Sequence, residues 1–227
     1  AGIMHIGLIG GIGPGATDYY YRRLIAAFKK SQMPLELTMV HADAPTLLGN
    51  LAENNVAAQV AIFSKLTERL AAAGASCVVV TAIAGHFCIN EFTQVSPLPV
   101  VNMIEALNAY VTKHGYKRVG LLGTQKVMET RFYGGITAEV VPPEGEELVE
   151  VHTSYVTMAA SGQVTEEQRA VFARVSNKLL QDAGAEAIIL GGTDLAMVYN
   201  EKNSPFPVID CAAIHADAII ERAGAQP

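Results

Sequence analysis

The 227-residue chain has no tryptophan, and aromatic residues make up only 7% of it. Charge is sparse too, at 17% of residues, and 22 acidic against 16 basic side chains leave a net charge of -6. A surface of that sign offers little to nucleic acid or to an anionic lipid surface, so neither partner is expected. No long hydrophobic run is present either. The longest, Cys77 to Gly85, is far too short to cross a bilayer, so no membrane partner is expected. No signal-peptide pattern opens the chain. Ala1-Gly2-Ile3, ahead of Met4, is expected to be an addition and is left out of fold reasoning. The three cysteines, Cys77, Cys88 and Cys211, make neither a CxxC nor a zinc spacing. That excludes a disulfide framework, and it suits a reduced cytoplasmic location with no metal site. What is there is an apolar half with 20 Gly and 10 Pro, an ordinary globular composition.

Short β-branched runs alternate with helical stretches along the chain. His5-Ile6-Gly7-Leu8-Ile9, Cys77 to Val80, Val119 to Leu122 and Ala187 to Leu190 read as buried strands. Continuous rather than alternating apolar runs suit parallel strands covered on both faces. Thr17 to Lys30, Asn55 to Ala73, Asn102 to Lys113 and Glu166 to Ala183 carry helical periodicity. The fold class is therefore α/β with mostly parallel sheets.

An internal repeat refines this expectation. Gly7-Leu-Ile-Gly-Gly with Thr17 and Tyr20 returns 113 residues later as Gly120-Leu-Leu-Gly-Thr with Thr130 and Tyr133. Gly74-Ala-Ser-Cys-Val-Val-Val-Thr-Ala returns 110 residues on as Gly184-Ala-Glu-Ala-Ile-Ile-Leu-Gly-Gly. Pro97-Leu-Pro-Val-Val-Asn102 returns as Pro205-Phe-Pro-Val-Ile-Asp210. Three matched segments in one order predict two similar Rossmann-like lobes related by a pseudo-twofold axis. The expected first lobe is residues 4–100 plus 208–227, and the second is 101–207. Ligands of open α/β sheets sit beyond the carboxyl ends of strands. The expected site is thus a cleft served by a loop from each lobe, Thr81 to His86 and Gly191 to Leu195.

Gly10-Gly11-Ile12-Gly13-Pro14-Gly15-Ala16-Thr17 falls between a strand and a helix. Backbone N–H groups at such a turn favour a small anion. The glycine spacing is wrong for a dinucleotide fingerprint, which needs G-x-G-x-x-G, so no cofactor is expected. In this motif the chain resembles the aspartate/glutamate racemase family, the cofactor-independent amino-acid racemases. Gly120-Leu-Leu-Gly-Thr124, Ser161-Gly162, Leu190-Gly191-x-Thr193-Asp194-Leu195 and Pro207-Val-Ile-Asp210 through His215 continue the likeness. It runs from about residue 4 to about 223.

The resemblance implies a mechanism in which two cysteines face each other across the substrate α-carbon. One thiolate removes its proton and the other thiol delivers a proton to the opposite face. The cysteines usually stand in a Cys-Asn-Thr-x-His stretch and a Gly-Cys-Thr-Glu stretch. Here those stretches read Ala82-Ile83-Ala84-Gly85-His86 and Gly191-Gly192-Thr193-Asp194, and the repeat independently pairs Ala82 with Gly192. Neither residue carries a proton. The resemblance places a loop after the second strand with a basic residue in it, but the corresponding stretch, His41 to Asn50, has no arginine or lysine, and Ala159-Ala-Ser-Gly-Gln163 lacks the lysine often found there.

Thr81, next to the first cysteine slot, and Asp194, at the family's acidic position, are the catalytic candidates. Thr81 also fits a strand-end hydroxyl bonded to backbone, and Asp194 fits a residue that orients its loop. Gly11, Gly13, Thr81, Ala82, Ile83, Thr124, Gly192 and Thr193 are the expected substrate-binding residues. His86 is either an acid–base group or a residue bonding its own loop. Cys77 reads as inert core, Cys88 as part of the helix after the loop, and Cys211 as a strand-end residue. His5, His114 and His152 lack partners at ligand spacing, and His215 with Cys211 makes only a two-residue cluster. The expected function is a family member acting on a small carboxylic or amino acid, with isomerase, lyase or decarboxylase chemistry. The alternative is a small-acid binding protein without turnover. A homodimer is compatible with either.

Overall fold

A computed structural model describes residues 4–200 and 202–227, so Ala1 to Ile3 lie outside the described residues. The chain divides into two compact units. The first runs to Met103 and resumes at His215, and the second is Ile104–Ile214.

The first unit opens with β1 (His5–Gly10), in which Ile6, Leu8 and Ile9 are wholly buried. α1 (Pro14–Lys30) follows, with proline in its first turn where no N–H is needed. Tyr20, Leu24, Ala27 and Phe28 are its buried stripe, spaced as one helical face requires. β2 (Glu36–His41) is half exposed, as an edge strand. α2 (Ala44–Ala52) and α3 (Val56–Ala72) come next, capped by the side chains of Asp43 and Asn55. Most of the 41–50 stretch expected as a loop is therefore helix, and Asp43 already occupies its start. β3 (Cys77–Val80) is completely buried and leads through a tight turn, Ala84–Cys88, into α4 (Ile89–Val95). The strand order is β2-β1-β3, all parallel, and Val100 adds a parallel bridge to Val78.

The second unit repeats the plan. α5 (Met103–Lys113) leads to β4 (Arg118–Gly123), α6 (Gln125–Glu129) and β5 (Glu139–Val141). α7 (Gly145–Ser161) and α8 (Glu166–Gln181) precede β6 (Ile188–Gly191) and β7 (Val208–Asp210). A reciprocal Thr165–Gln168 capping box starts α8. The order is β5-β4-β6-β7, again all parallel. α9 (Cys211–Arg222) closes the chain, and from His215 it belongs to the first unit.

The protein is thus α/β with two separate parallel sheets. Both unit boundaries fall a few residues beyond the expected 101 and 208. Val101 donates its N–H to Val78 O, which keeps that stretch with β3. Val208 pairs with Ile188, which keeps β7 with β6. Past α6, Arg131, Phe132 and Tyr133 are all left-handed, with φ of 52°, 59° and 58°. Such residues cost about 1–2 kcal/mol each, and the turn places the Phe132 ring fully in the core.

Candidate functional site

In each unit two strand-end loops lie side by side, because their strands are neighbours. β1 and β3 pair through Ile9 and Val80, so the Gly11–Gly13 and Thr81–Ile83 loops adjoin in the first unit. β4 and β6 pair through Gly123 and Gly191, so Thr124 adjoins Gly192–Asp194 in the second.

The loop after β1 is held by Thr17. Its Oγ1 accepts the Gly11 N–H at 2.9 Å and donates to Gly13 O at 3.3 Å. Gly11 sits at φ 93°, and a Cβ there would lie 2.3 Å from His41 Nδ1 and 2.8 Å from Ala42 O, so only glycine fits. The Gly11 amide expected to hold a ligand anion is therefore already engaged inside the loop. Gly13, at the exposed start of α1, keeps its place in the candidate set.

Thr81 is fully buried, and its Oγ1 donates to Ile9 O at 2.9 Å. The hydroxyl's single proton joins β3 to β1. That bond is the one expected of a strand-end hydroxyl satisfied by backbone. Ala82 is buried and its carbonyl accepts the Nδ1 proton of His86 at 2.8 Å, while the Ile83 carbonyl accepts the His86 N–H. His86 Nε2 in turn accepts the Met103 N–H at 3.2 Å. Both ring nitrogens are thus assigned, and the ring is neutral. Burial pushes the His86 pKa down to about 4. Behind it, His215 donates from Nε2 to Val101 O at 2.7 Å and accepts the Tyr20 hydroxyl at Nδ1, 2.6 Å away. Burial, followed by the neighbouring His86, lowers His215 to about 3. His86 is therefore a loop-fixing residue rather than a poised acid or base.

In the second unit, Thr124 precedes α6, and its side chain makes no capping bond. His152, on α7, supplies that bond instead by accepting the Gln125 N–H at Nδ1, 2.8 Å away. The Gly192 carbonyl closes the turn Thr193–Met197 by accepting the Leu195 N–H. Asp194 Oδ2 accepts the hydroxyl of Tyr155 at 3.2 Å. Asp194 therefore anchors Tyr155, a residue of α7 that the sequence reading missed. The available signal was Gly192 itself, since a glycine where a side chain is expected implies a neighbour filling the gap. Burial, reinforced by the Asp194 charge, pushes the Tyr155 hydroxyl pKa up, so it stays protonated.

All three cysteines are buried, and none stands in a strand-end loop at 81–86 or 191–195. Burial raises the thiol pKa of Cys77, raises that of Cys88 to about 12, and raises that of Cys211 well above its ordinary value. A groove of about 430 Å³ lies between the Val141–Glu147 segment and the end of α8, away from these loops.

Two parallel α/β units, each with loops at the carboxyl ends of its strands, define the fold class. The sequence pattern of the Asp/Glu/Hydantoin racemase family matches residues 9–219, and the chain belongs to that family. Over 143 residues it is 27% identical to the glutamate racemase of Limosilactobacillus reuteri (strain DSM 20016), an alignment covering 60% of this chain and 51% of that one. The chain thus spans about half the length of the curated relatives it matches. The crystal structure of an aspartate racemase homologue from Pyrococcus horikoshii OT3 is similar at 27% identity and a TM-score of 0.84, covering 98% of this chain and 100% of that one. The aspartate racemase of Picrophilus torridus, at 22% identity, a TM-score of 0.74 and coverage of 98% and 95%, is similar in fold. Among the described residues, no helix is long and apolar enough to cross a membrane.

Proposed function

We propose that this chain binds a small carboxylic or amino acid at its strand-end loops and does not racemise it with a pair of thiols. One observation carries the reading. No cysteine stands in either loop, and all three in the chain are buried with raised pKa values. A proton relay at carbon needs a base on one face and an acid on the other, and each contributes about 10²–10⁴-fold in rate. Ala82 and Gly192 supply neither, His86 is neutral and bonded at both nitrogens, and the Thr81 proton is held by Ile9 O.

In this reading the first unit offers an acid the loop groups of Gly13, Ala82 and Ile83, shaped from within by Gly11 and Thr81, and the second unit by itself offers those of Thr124, Gly192 and Thr193. Such neutral donors contribute about 0.5–1.5 kcal/mol each, less than charged ones. A second reading, turnover by lyase or decarboxylase chemistry, rests on these loop amides and hydroxyls, since the Tyr155 proton already goes to Asp194. Preorganised donors of that kind stabilise an enolate-like charge without a thiol.

Calorimetry against a panel of small acids tests the proposal. Thr193→Val is expected to weaken the best ligand about threefold to tenfold, with Cys77→Ala leaving affinity unchanged. Absence of binding by every acid overturns the proposal. Cleavage products detected by NMR after incubation with the bound acid decide for the second reading.

A further inference from the structure

Glycine at position 192 is not explained by its backbone. Its φ of -179° and ψ of 140° are extended values open to any residue. What excludes a side chain is a neighbour. A Cβ at 192 would lie 2.1 Å from Tyr155 Oη, 2.5 Å from Cζ and 2.7 Å from Cε2. Three atoms at the tip of one ring, projected from α7, occupy the volume that a side chain at 192 would take. The ring is well fixed there. It is only 8% exposed, and its hydroxyl is bonded to Asp194, two residues past the glycine. One turn earlier on α7, His152 ties the same helix to the start of α6.

We infer that Tyr155 is the specificity-determining residue of the loop after β6: its phenol replaces the side chain of residue 192, fixes glycine at that position, and offers a ligand a hydroxyl anchored on Asp194. The packing half of this inference stands on geometry alone, and the ligand half rests on the small-acid reading above. A hydroxyl that donates to a carboxylate keeps its oxygen lone pairs for a donor on the ligand. The raised pKa means that this oxygen stays protonated and removes no carbon-bound proton. The loop therefore selects a small acid bearing an amino or hydroxyl substituent over the same acid without one. Aspartate or malate is preferred to succinate.

Thermal melting of the full chain tests the packing. Gly192→Ala is expected to lower Tm by about 5 °C or more in the native background. The loss persists with Tyr155→Phe, which keeps Cζ and Cε2, and largely disappears with Tyr155→Leu, which lacks all three crowding atoms. Tyr155→Met replaces the leucine variant if that one does not fold. An equal loss in the leucine or methionine background overturns the inference. Thiol labelling gives a second readout that the buried native cysteines barely contribute to. The thiol introduced by Gly192→Cys should react at least about tenfold faster when combined with Tyr155→Leu, and equal rates count against the inference. Calorimetry with aspartate, malate and succinate tests the ligand half. Native protein should prefer the substituted acids by roughly tenfold, and Tyr155→Phe should erase that preference. An unchanged preference in Tyr155→Phe overturns the ligand half. No binding of any acid to the native protein overturns both that half and the small-acid reading, while the melting series still decides the packing.

Discussion

The two units start from the same strand and part company just beyond it. β1 and β4 both end in glycine, yet the first unit continues into a 17-residue helix, and the second into a five-residue helix and a left-handed turn. Their β3 and β6 loops differ in a deeper way. In the first unit the loop is fixed from behind by buried groups that satisfy one another: Thr81 on Ile9, His86 on Ala82 and Met103, and His215 on Tyr20 and Val101. In the second, one ring from α7 fills the space beside Gly192 and is pinned to Asp194 from the front. No cysteine stands in either loop, and the two loops are fixed by two physical routes, interior polar bonding and side-chain replacement.

The comparison predicts unequal sensitivity. His215→Leu should have the largest effect, because it removes the bonded partner of the Tyr20 hydroxyl and Val101 O in a fully buried place. A loss of about 2–4 kcal/mol in urea denaturation is expected. The same histidines give the first unit its pH dependence. Their folded pKa values, about 4 for His86 and about 3 for His215, lie below the ordinary 6.5. The unfolded chain therefore takes up protons that the folded chain refuses, so stability is full above about pH 6.5 and falls as pH drops toward 4. Each histidine contributes about 1.4 kcal/mol per pH unit in that window. Between pH 6 and 5 the slope should fall by about half in His215→Leu, and an unchanged slope would break the contrast between the units.

Tyr155→Phe should cost less, about 1 kcal/mol, because its bond to Asp194 is only partly buried. It should leave the slope between pH 6 and 5 unaltered. The smallest effect concerns the turn that separates α6 from its long counterpart α1. Arg131 is exposed at φ 52°. Arg131→Gly should raise stability by up to about 1 kcal/mol in the same denaturation measurement, since glycine adopts this region without strain.

Much of this contrast could be read from sequence, but unevenly. The strands at Cys77–Val80 and Val119–Leu122 and the helix to Lys30 were visible because continuous apolar runs and helical spacing are local signals. The parallel α/β class followed from them and the two-lobe plan from the repeat, while the family rested on the resemblance of motifs such as Gly10 to Thr17. The edge strand β2 is half exposed and gave a weaker pattern, and the helix at Ala44–Ala52 starts on an Asp43 cap inside a stretch read as loop. The lack of cysteine at 81–86 and 191–195 was legible because it is a departure from the motif the chain resembles. Tyr155 was not, because Gly192 signals only that something fills the gap, and the packing of α7 on the Thr193–Met197 turn decides which residue does. The Thr81 and Gly11 protons were likewise decided by tertiary partners, Ile9 O and Thr17 Oγ1.

Neither loop is expected to move a proton at carbon. The most direct measurement is proton NMR of D- and L-aspartate and glutamate incubated with the native protein in heavy water. No protein-dependent loss of the α-proton signal beyond the uncatalysed rate is expected. Rapid deuterium incorporation at the α-carbon of either enantiomer would contradict it.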